Sequence, residues 1–400
     1  MDREFDIIVW GASGFTGRLV VDYMAANYAH SNLRWAVGGR DMAKIKQVLG
    51  ARDVPVVIAD SQDRDAIQAL VERTRVVLTT VGPYARYGST LVAACAQAGT
   101  HYCDLTGEVP WMRKMIDAHQ IQAKDSGARI VHTCGFDSIP SDMGVYFLQQ
   151  QMIAHHGVAA VQIKYRVRTF KGGVSGGTLD SLMAMMEQAK DDPQIFKSLG
   201  DPYSLNDSMR GLDGTDPMTG YFDKDFDQWV GPFVMAGVNT KVVRRSNELL
   251  DGLYGSDFRY GEGTLAGKGP GGFIGASKGG IGSGIFAGLA AFSTTRKLLQ
   301  RLLPKPGEGP SEEQIANGYF VIEMLAIHPN DTSKNIRCLV KGDRDPGYGS
   351  TSKMISECAL ALAQDDLPDR AGFLTPASAM GDALLKRLPE NAGVSFEIIS

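Results

Sequence analysis

Phe5-Asp6-Ile7-Ile8-Val9-Trp10-Gly11-Ala12-Ser13-Gly14-Phe15-Thr16-Gly17 decides the fold. An apolar run of six residues ends in a glycine, and two further glycines follow at intervals of three. A helical stretch, Gly17 to Met24, comes next. In a strand–loop–helix unit each glycine has a mechanical task. Gly11 permits the tight turn, Gly14 lets backbone approach a pyrophosphate, and Gly17 lets helix and strand pack closely. The helix N-terminus then presents free N–H groups and a partial positive charge to an anion. The loop therefore reads as a dinucleotide site made of Gly11, Ala12, Ser13, Gly14, Phe15, Thr16 and Gly17, because it stands directly after a buried strand.

Working outward, apolar runs recur at Trp35–Val37, Val54–Ile58, Val76–Val81, His101–Leu105 and Arg129–Thr133. Helical spacing lies between most of them, at Ala66–Glu72, Thr90–Ala98 and Val109–Lys124. This alternation predicts an α/β fold: a Rossmann-type doubly wound parallel sheet of six strands over residues 1–150. Beyond residue 150 the pattern changes. Ile163, Tyr165 and Val167 alternate with Lys164, Arg166 and Arg168, which predicts an antiparallel strand with one wet face. A second α/β (α+β) domain with an antiparallel or mixed sheet is expected over 151–345, although 201–275 yields no element assignment. Residues 346–400 carry a helix at Ser352–Leu362, a short strand at Leu374-Thr375-Pro376 and a helix at Ala377–Arg387, expected to pack back on the first domain.

Cofactor choice is read where the second strand ends. An NAD site usually places an acid there, whereas this chain has Gly39-Arg40. A guanidinium fork suits a 2′-phosphate, with Ser13 and Lys44 within reach. The other reading of Arg40 is a solvated residue beside Asp41. NADP(H) is the expected cofactor, with NAD(H) the alternative pyridine nucleotide. Asp60 ends the third strand and suits either the adenine amino group or the cap of the next helix. Gly82-Pro83-Tyr84 ends the fourth, where a small residue and a rigid turn leave room for the cofactor.

Composition sets the remaining bounds. The 400 residues are 44% apolar and 22% charged, which is globular, and long enough for two domains. A net charge of −4 gives no basis for nucleic-acid binding. Five scattered cysteines without a CxxC pair point to reduced thiols, and no apolar leader precedes the first strand, so a cytoplasmic enzyme is expected. No His/Cys/acid spacing suits a metal, and none is expected. Gly280, Gly284 and Gly288 stand four apart in a glycine-dense stretch, followed by Arg296, Lys297 and Arg301 among leucines. Segment 271–303 therefore reads as a buried helix, a homo-oligomer contact, or a peripheral membrane attachment.

With these residues in view, the chain resembles the saccharopine-dehydrogenase-like oxidoreductases, closest to their trans-acting enoyl reductases. The resemblance rests on Gly11–Gly17, Gly39-Arg40, Val81-Gly82-Pro83-Tyr84 with Tyr87-Gly88, and the block His101 to Glu108. It also rests on Cys134-Gly135-Phe136-Asp137-Ser138-Ile139-Pro140-Ser141-Asp142, Ser175–Thr178, Pro304–Pro310, Gly347-Tyr348-Gly349 and Leu374–Ala377. It implies pyridine-nucleotide redox chemistry, either reduction of an enoyl bond in a lipid- or polyketide-like substrate or saccharopine-type C–N dehydrogenation. A non-catalytic nucleotide-binding, membrane-associated protein is the third reading.

Reduction of a C=C bond needs a proton as well as a hydride. The residues expected near the nicotinamide are Tyr84, Tyr87, Asp104, Glu108, Asp137 and Ser138, with Tyr84, Asp104, Asp137 and Ser138 the catalytic candidates. Asp104, Asp137 and Ser138 equally suit helix caps. Cys134 reads as a small buried residue, and His101 and His132 as core.

Overall fold

A computed structural model describes residues 3–172, 193–278 and 309–399. Two seven-stranded sheets share them. In the first, β1 (Phe5–Trp10) sits between β2 (Trp35–Gly39) and β4 (Thr74–Thr79), and every pairing is parallel. The order runs β13, β6, β5, β4, β1, β2, β3, where β3 is Val56–Ile58, β5 His101–Cys103, β6 Arg129–Val131 and β13 Gly372–Leu374. All six residues of β1 are buried, as befits a parallel strand covered on both faces.

The covering helices are α1 (Phe15–Tyr28), α2 (Met42–Leu49), α3 (Arg64–Glu72), the single turn α4 (Tyr84–Tyr87), α5 (Ser89–Ala98), α6 (Val109–Ser126) and α7 (Ile139–His156). α2 and α3 start at Asp41 and Asp63, whose carboxylates each accept two first-turn N–H groups. α1 runs past Met24 to Tyr28, because its buried positions Val20, Val21 and Met24 keep one face on the sheet for the whole length.

The sheet has seven strands rather than the predicted six, since β13 joins β6 in parallel from far along the chain. Three residues are too few for a periodic signal. The strand covers Gly372–Leu374, so only Leu374 of the predicted Leu374-Thr375-Pro376 lies in it. Thr375 caps α12 (Pro376–Arg387) through a reciprocal box with Ser378. Phe373 is also clamped from both sides: its N–H donates to Gln120 Oε1 at 2.7 Å, and its carbonyl accepts from the Arg245 guanidinium at 2.9 Å.

The second sheet is mixed, in the order β14, β12, β11, β7, β10, β9, β8. Its strands are β7 (Gln162–Lys171), β8 (Tyr221–Asp223), β9 (Gln228–Gly231), β10 (Arg259–Gly267), β11 (Tyr319–Ile327), β12 (Ile336–Gly342) and β14 (Val394–Ile398). Helices α8 (Pro193–Gly200), α9 (Ala236–Leu249), α10 (Glu312–Ala316) and α11 (Thr351–Gln364) complete the set.

β7 corrects its prediction. It is antiparallel to β11 but parallel to β10, and its charged face is wet only at Arg168, while Lys164 and Arg166 are covered. Arg166 is only 3% exposed and donates from Nε and Nη2 to Asp223 Oδ2 at 3.0 and 2.7 Å. Lys164 reaches the other oxygen of Asp223 at 2.9 Å, and Arg168 lies 3.3 Å from Glu323. The partners lie far away in sequence, so alternation alone gave the wrong surroundings.

One apolar core runs through both sheets. α7, α11 and α12 carry it from Val9 and Leu78 of the first sheet to Ile163, Met324 and Val340 of the second. Among the described residues no helix is long and apolar enough to cross a membrane. Gly280, Gly284, Gly288 and the basic-leucine stretch after them lie outside the described residues, as does Ser175–Thr178.

Candidate active site

The phosphate loop leaves β1 at Gly11, whose φ of +94° is open to glycine at little cost. Its N–H donates to the Gly38 carbonyl at 2.9 Å, and its carbonyl accepts the Gly14 N–H at 2.9 Å. A Cβ on Gly17 would lie 2.1 Å from that same carbonyl, so the first turn of α1 is seated directly on the loop. Gly14 differs. It is exposed, and a Cβ there would meet only the Gly11 carbonyl, at 3.3 Å.

No side chain caps α1, in contrast to α2 and α3 with their aspartates. Its first-turn donors therefore face the space above Gly14 without a side-chain acceptor, the arrangement that a pyrophosphate fits. Ala12 is buried beneath, while Ser13, Phe15 and Thr16 stay partly exposed.

Arg40 stands exposed beyond β2, and no hydrogen bond or ion pair engages it among the described residues. Its neighbour Asp41 is occupied by the N–H groups of Ala43 and Lys44 at 3.0 and 3.1 Å, and by the Lys44 ammonium at 3.8 Å. The guanidinium is thus available beside the loop, and Lys44 is less so. Asp60 is exposed, and its Oδ1 accepts the Gln62 N–H at 2.9 Å, forming the turn before α3. The cap of α3 is Asp63 instead.

At the end of β4, Gly82 is exposed and Pro83 precedes the single turn α4. Glu108 holds that turn with both oxygens, accepting the N–H groups of Tyr84 and Ala85 at 2.8 Å each. Tyr84 points inward. Its hydroxyl donates to the Thr79 carbonyl at 3.3 Å and accepts from the Leu105 N–H at 3.2 Å. Burial, followed by the charge of Asp104, raises that phenol well above its ordinary range. Tyr84 ties the ends of β4 and β5 together through these two contacts. Tyr87 is partly exposed at the far end of the turn.

Asp104 is fully buried and saturated. Oδ1 accepts the N–H groups of Thr106 and Thr133 at 3.1 and 3.2 Å, and Oδ2 engages the Tyr102 hydroxyl and His132 Nδ1 at 2.8 and 2.7 Å. These contacts shape the loops after β5 and β6, which Asp104 fastens together. His101 and His132 lie in or beside strands; His132 is packed among Tyr102, Trp111 and Phe373. Cys134 is fully buried, with its thiol 3.6 Å from the Val131 carbonyl.

Asp137 and Ser138 open α7. Ser138 is buried and donates to Asn239 Oδ1 at 3.1 Å; Asn239 in turn donates to Glu262 at 3.0 Å, and Glu262 accepts from the Tyr260 hydroxyl at 2.7 Å. Burial lifts Glu262 to about 7. Asp137 is the exception among the four candidates. The residue is partly exposed, and its carboxyl has no hydrogen-bond partner among the described residues. Burial, and then the charge of Asp104, lifts it to about 7. Phe136, just before it, gives its N–H to Thr351 Oγ1 at 2.9 Å and packs its ring 4.9 Å from Phe320 of the second sheet.

Asn239, Glu262 and Thr351 escaped the sequence reading. The first two fall in 201–275, where buried polar positions break the apolar period of α9; Thr351 had no local signal at all. Among the described residues no group of His, Cys, Asp and Glu is arranged to hold a metal.

The cradle at Gly14, the uncapped helix and the exposed guanidinium of Arg40 are the features of a dinucleotide-binding domain. Residues 7–131 match the family model described as the saccharopine dehydrogenase NADP-binding domain, and NADP(H) is the cofactor. Over its whole length the chain is similar to a Mycobacterium tuberculosis protein named provisionally as a trans-acting enoyl reductase. Identity there is 43%, covering 99% of this chain and 97% of that one. A Mycobacterium bovis protein named trans-acting enoyl reductase is 39% identical, covering 98% and 97%. The chain belongs to the saccharopine-dehydrogenase-like oxidoreductases, in their trans-acting enoyl reductase branch. Among solved structures, apo saccharopine dehydrogenase (L-Glu forming) from Saccharomyces cerevisiae shares the fold, with a TM-score of 0.54 at 13% identity over 99% of this chain and 100% of that one.

Proposed function

We propose that this NADP-dependent oxidoreductase reduces the C=C bond of an enoyl substrate, lipid- or polyketide-like, with Asp137 as the proton donor. The observation that carries the reading is Asp137 itself: an acid near the carboxyl ends of the parallel strands, without a hydrogen-bond partner among the described residues and with its pKa raised by burial to about 7. The other three candidates spend their groups on the protein itself.

The first-turn N–H groups of α1 would hold the pyrophosphate and Arg40 the 2′-phosphate. When bound, NADPH supplies a hydride. Saturating an activated C=C bond also takes one proton, delivered to the carbon beside the one that receives the hydride. Asp137 holds that proton and regains one from solvent between turnovers. A pKa near the working pH balances retention against transfer.

The saccharopine-type reading asks for cations to receive several carboxylates. The clustered cations of β7, Lys164, Arg166 and Arg168, are instead paired with Asp223, Asp225 and Glu323. The names of the mycobacterial relatives favour enoyl reduction as well.

The test is NADPH oxidation with an enoyl thioester, set against an amino acid plus a 2-oxo acid. Turnover of the thioester, lost in Asp137→Asn, supports the proposal. Turnover of only the amine and oxo acid, or NADPH binding without turnover on either, overturns it.

A further inference from the structure

Phe15 is the first helical residue of α1 and belongs to the phosphate loop, yet its ring is not held by the first domain alone. Tyr348 meets it edge-on, ring centroids 5.1 Å apart and planes at 89°. On another side, the backbone at Gly309 comes so close that a Cβ there would lie 2.5 Å from the ring. The Arg18 guanidinium lies 5.7 Å from its centroid. Tyr348 is itself 3% exposed and sits in the short helical turn Pro346–Ser350 that leads into α11.

That turn is fixed by the second sheet. Asp345, fully buried, accepts the N–H groups of Tyr348 and Gly349 at 2.7 and 3.4 Å, and its own N–H donates to the Ile315 carbonyl at 3.1 Å. A Cβ on Gly318, at the start of β11, would lie 2.3 Å from the Asp345 backbone. One on Gly172, at the end of β7, would lie 2.3 Å from its carboxylate. The turn is therefore wedged between two strand ends and cannot shift without unpacking them.

We propose that Tyr348 is a positioning residue for NADP(H): it holds Phe15, and through it the first turn of α1, in the pose that presents the phosphate-binding N–H groups. The effect is confined to the pyrophosphate end of the site. Arg40 stands beyond β2 and takes no part in it. Since an aromatic pair contributes about 0.5–1.5 kcal/mol, loss of the Tyr348 ring should weaken NADPH binding about two- to tenfold. By reciprocity, bound NADPH should steady the Pro346–Ser350 turn.

The experiment measures dissociation constants of the full chain for two probes: NADPH, which engages loop and Arg40, and 2′-AMP, which carries the 2′-phosphate but no pyrophosphate. Tyr348→Ala is expected to raise the constant for NADPH by the factor above and leave that for 2′-AMP unchanged. Tyr348→Phe, which keeps the ring edge, should restore NADPH binding. Unchanged NADPH affinity in Tyr348→Ala overturns the proposal, as does an equal loss for both probes, which would mark general damage. If Tyr348→Ala fails to fold, Tyr348→Leu keeps the bulk without the ring and is judged by the same two outcomes.

Discussion

Asp104 Oδ2 and His132 Nδ1 lie 2.7 Å apart, both buried, at the ends of neighbouring parallel strands. With Tyr102, Thr106 and Thr133 they close the loops that frame Asp137. Replacing Asp104 with Ala strands four donors at once. Breaking a buried pair of this kind costs about 3–5 kcal/mol. Urea unfolding of Asp104→Ala should show that loss, and a change below about 1 kcal/mol would contradict the fastener role.

Gly14 and Gly17 should separate binding from folding. A side chain at position 17 meets the Gly11 carbonyl at 2.1 Å, so Gly17→Ala should lower the melting temperature without any ligand, by about 1–3 kcal/mol of overpacking. Gly14→Val meets only the Gly11 carbonyl, at 3.3 Å rather than 2.1 Å, and should melt close to the parent, yet lose NADPH. Retained NADPH affinity in Gly14→Val would remove the pyrophosphate from this loop.

Arg40→Ala tests the 2′-phosphate. A hydrogen bond to a charged group contributes about 1.5–3 kcal/mol, or about ten- to a hundredfold in affinity. NADPH binding should fall by that factor while NADH binding stays nearly unchanged. Equal losses for the two nucleotides would assign the phosphate to another group.

The pH dependence of turnover follows from Asp137. The donor must be protonated, and its pKa is raised to about 7, so kcat should be high at mildly acid pH and fall as pH rises through about 7. A flat profile across that range would exclude Asp137 as donor.

Stability has its own pH signature. Burial raises Asp142 to about 7, while its carboxylate accepts from Ser246 and from the Ala377 N–H. A carboxyl that binds its proton more tightly folded than unfolded stabilises the fold at acid pH. That contribution drains away between about 4, the unfolded value, and the folded value near 7. Asp142→Asn should flatten this part of the stability profile in urea titrations at several pH values. An unaltered slope would refute it.

What the sequence made legible follows contact range. The unit from Phe5 to Met24 is readable because its glycine spacing and apolar pattern are local signals, and the parallel sheet because its strands alternate with helices at short intervals. Asp104 reads as an open choice between acid and cap, since two of its four donors come from Thr133 and His132, 28 or more residues away. Lys164 and Arg166 look solvated until Asp223 is brought beside them from 59 and 57 residues on. Asn239 and Glu262 belong to a region whose polar residues are buried in one another's company, which no hydrophobic period records.

The parallel strand Gly372–Leu374 has a bearing on synthesis. The outer edge of β6 is paired by residues made more than two hundred positions later. Until they emerge from the ribosome, the half-built cofactor sheet carries an unpaired edge. Arg245 and Gln120 also lack the Phe373 backbone groups they clasp in the finished fold. Completion of the nucleotide-binding half is therefore a late event in the life of the nascent chain, and the intervening interval is when this protein is most open to strand-to-strand aggregation or to a chaperone.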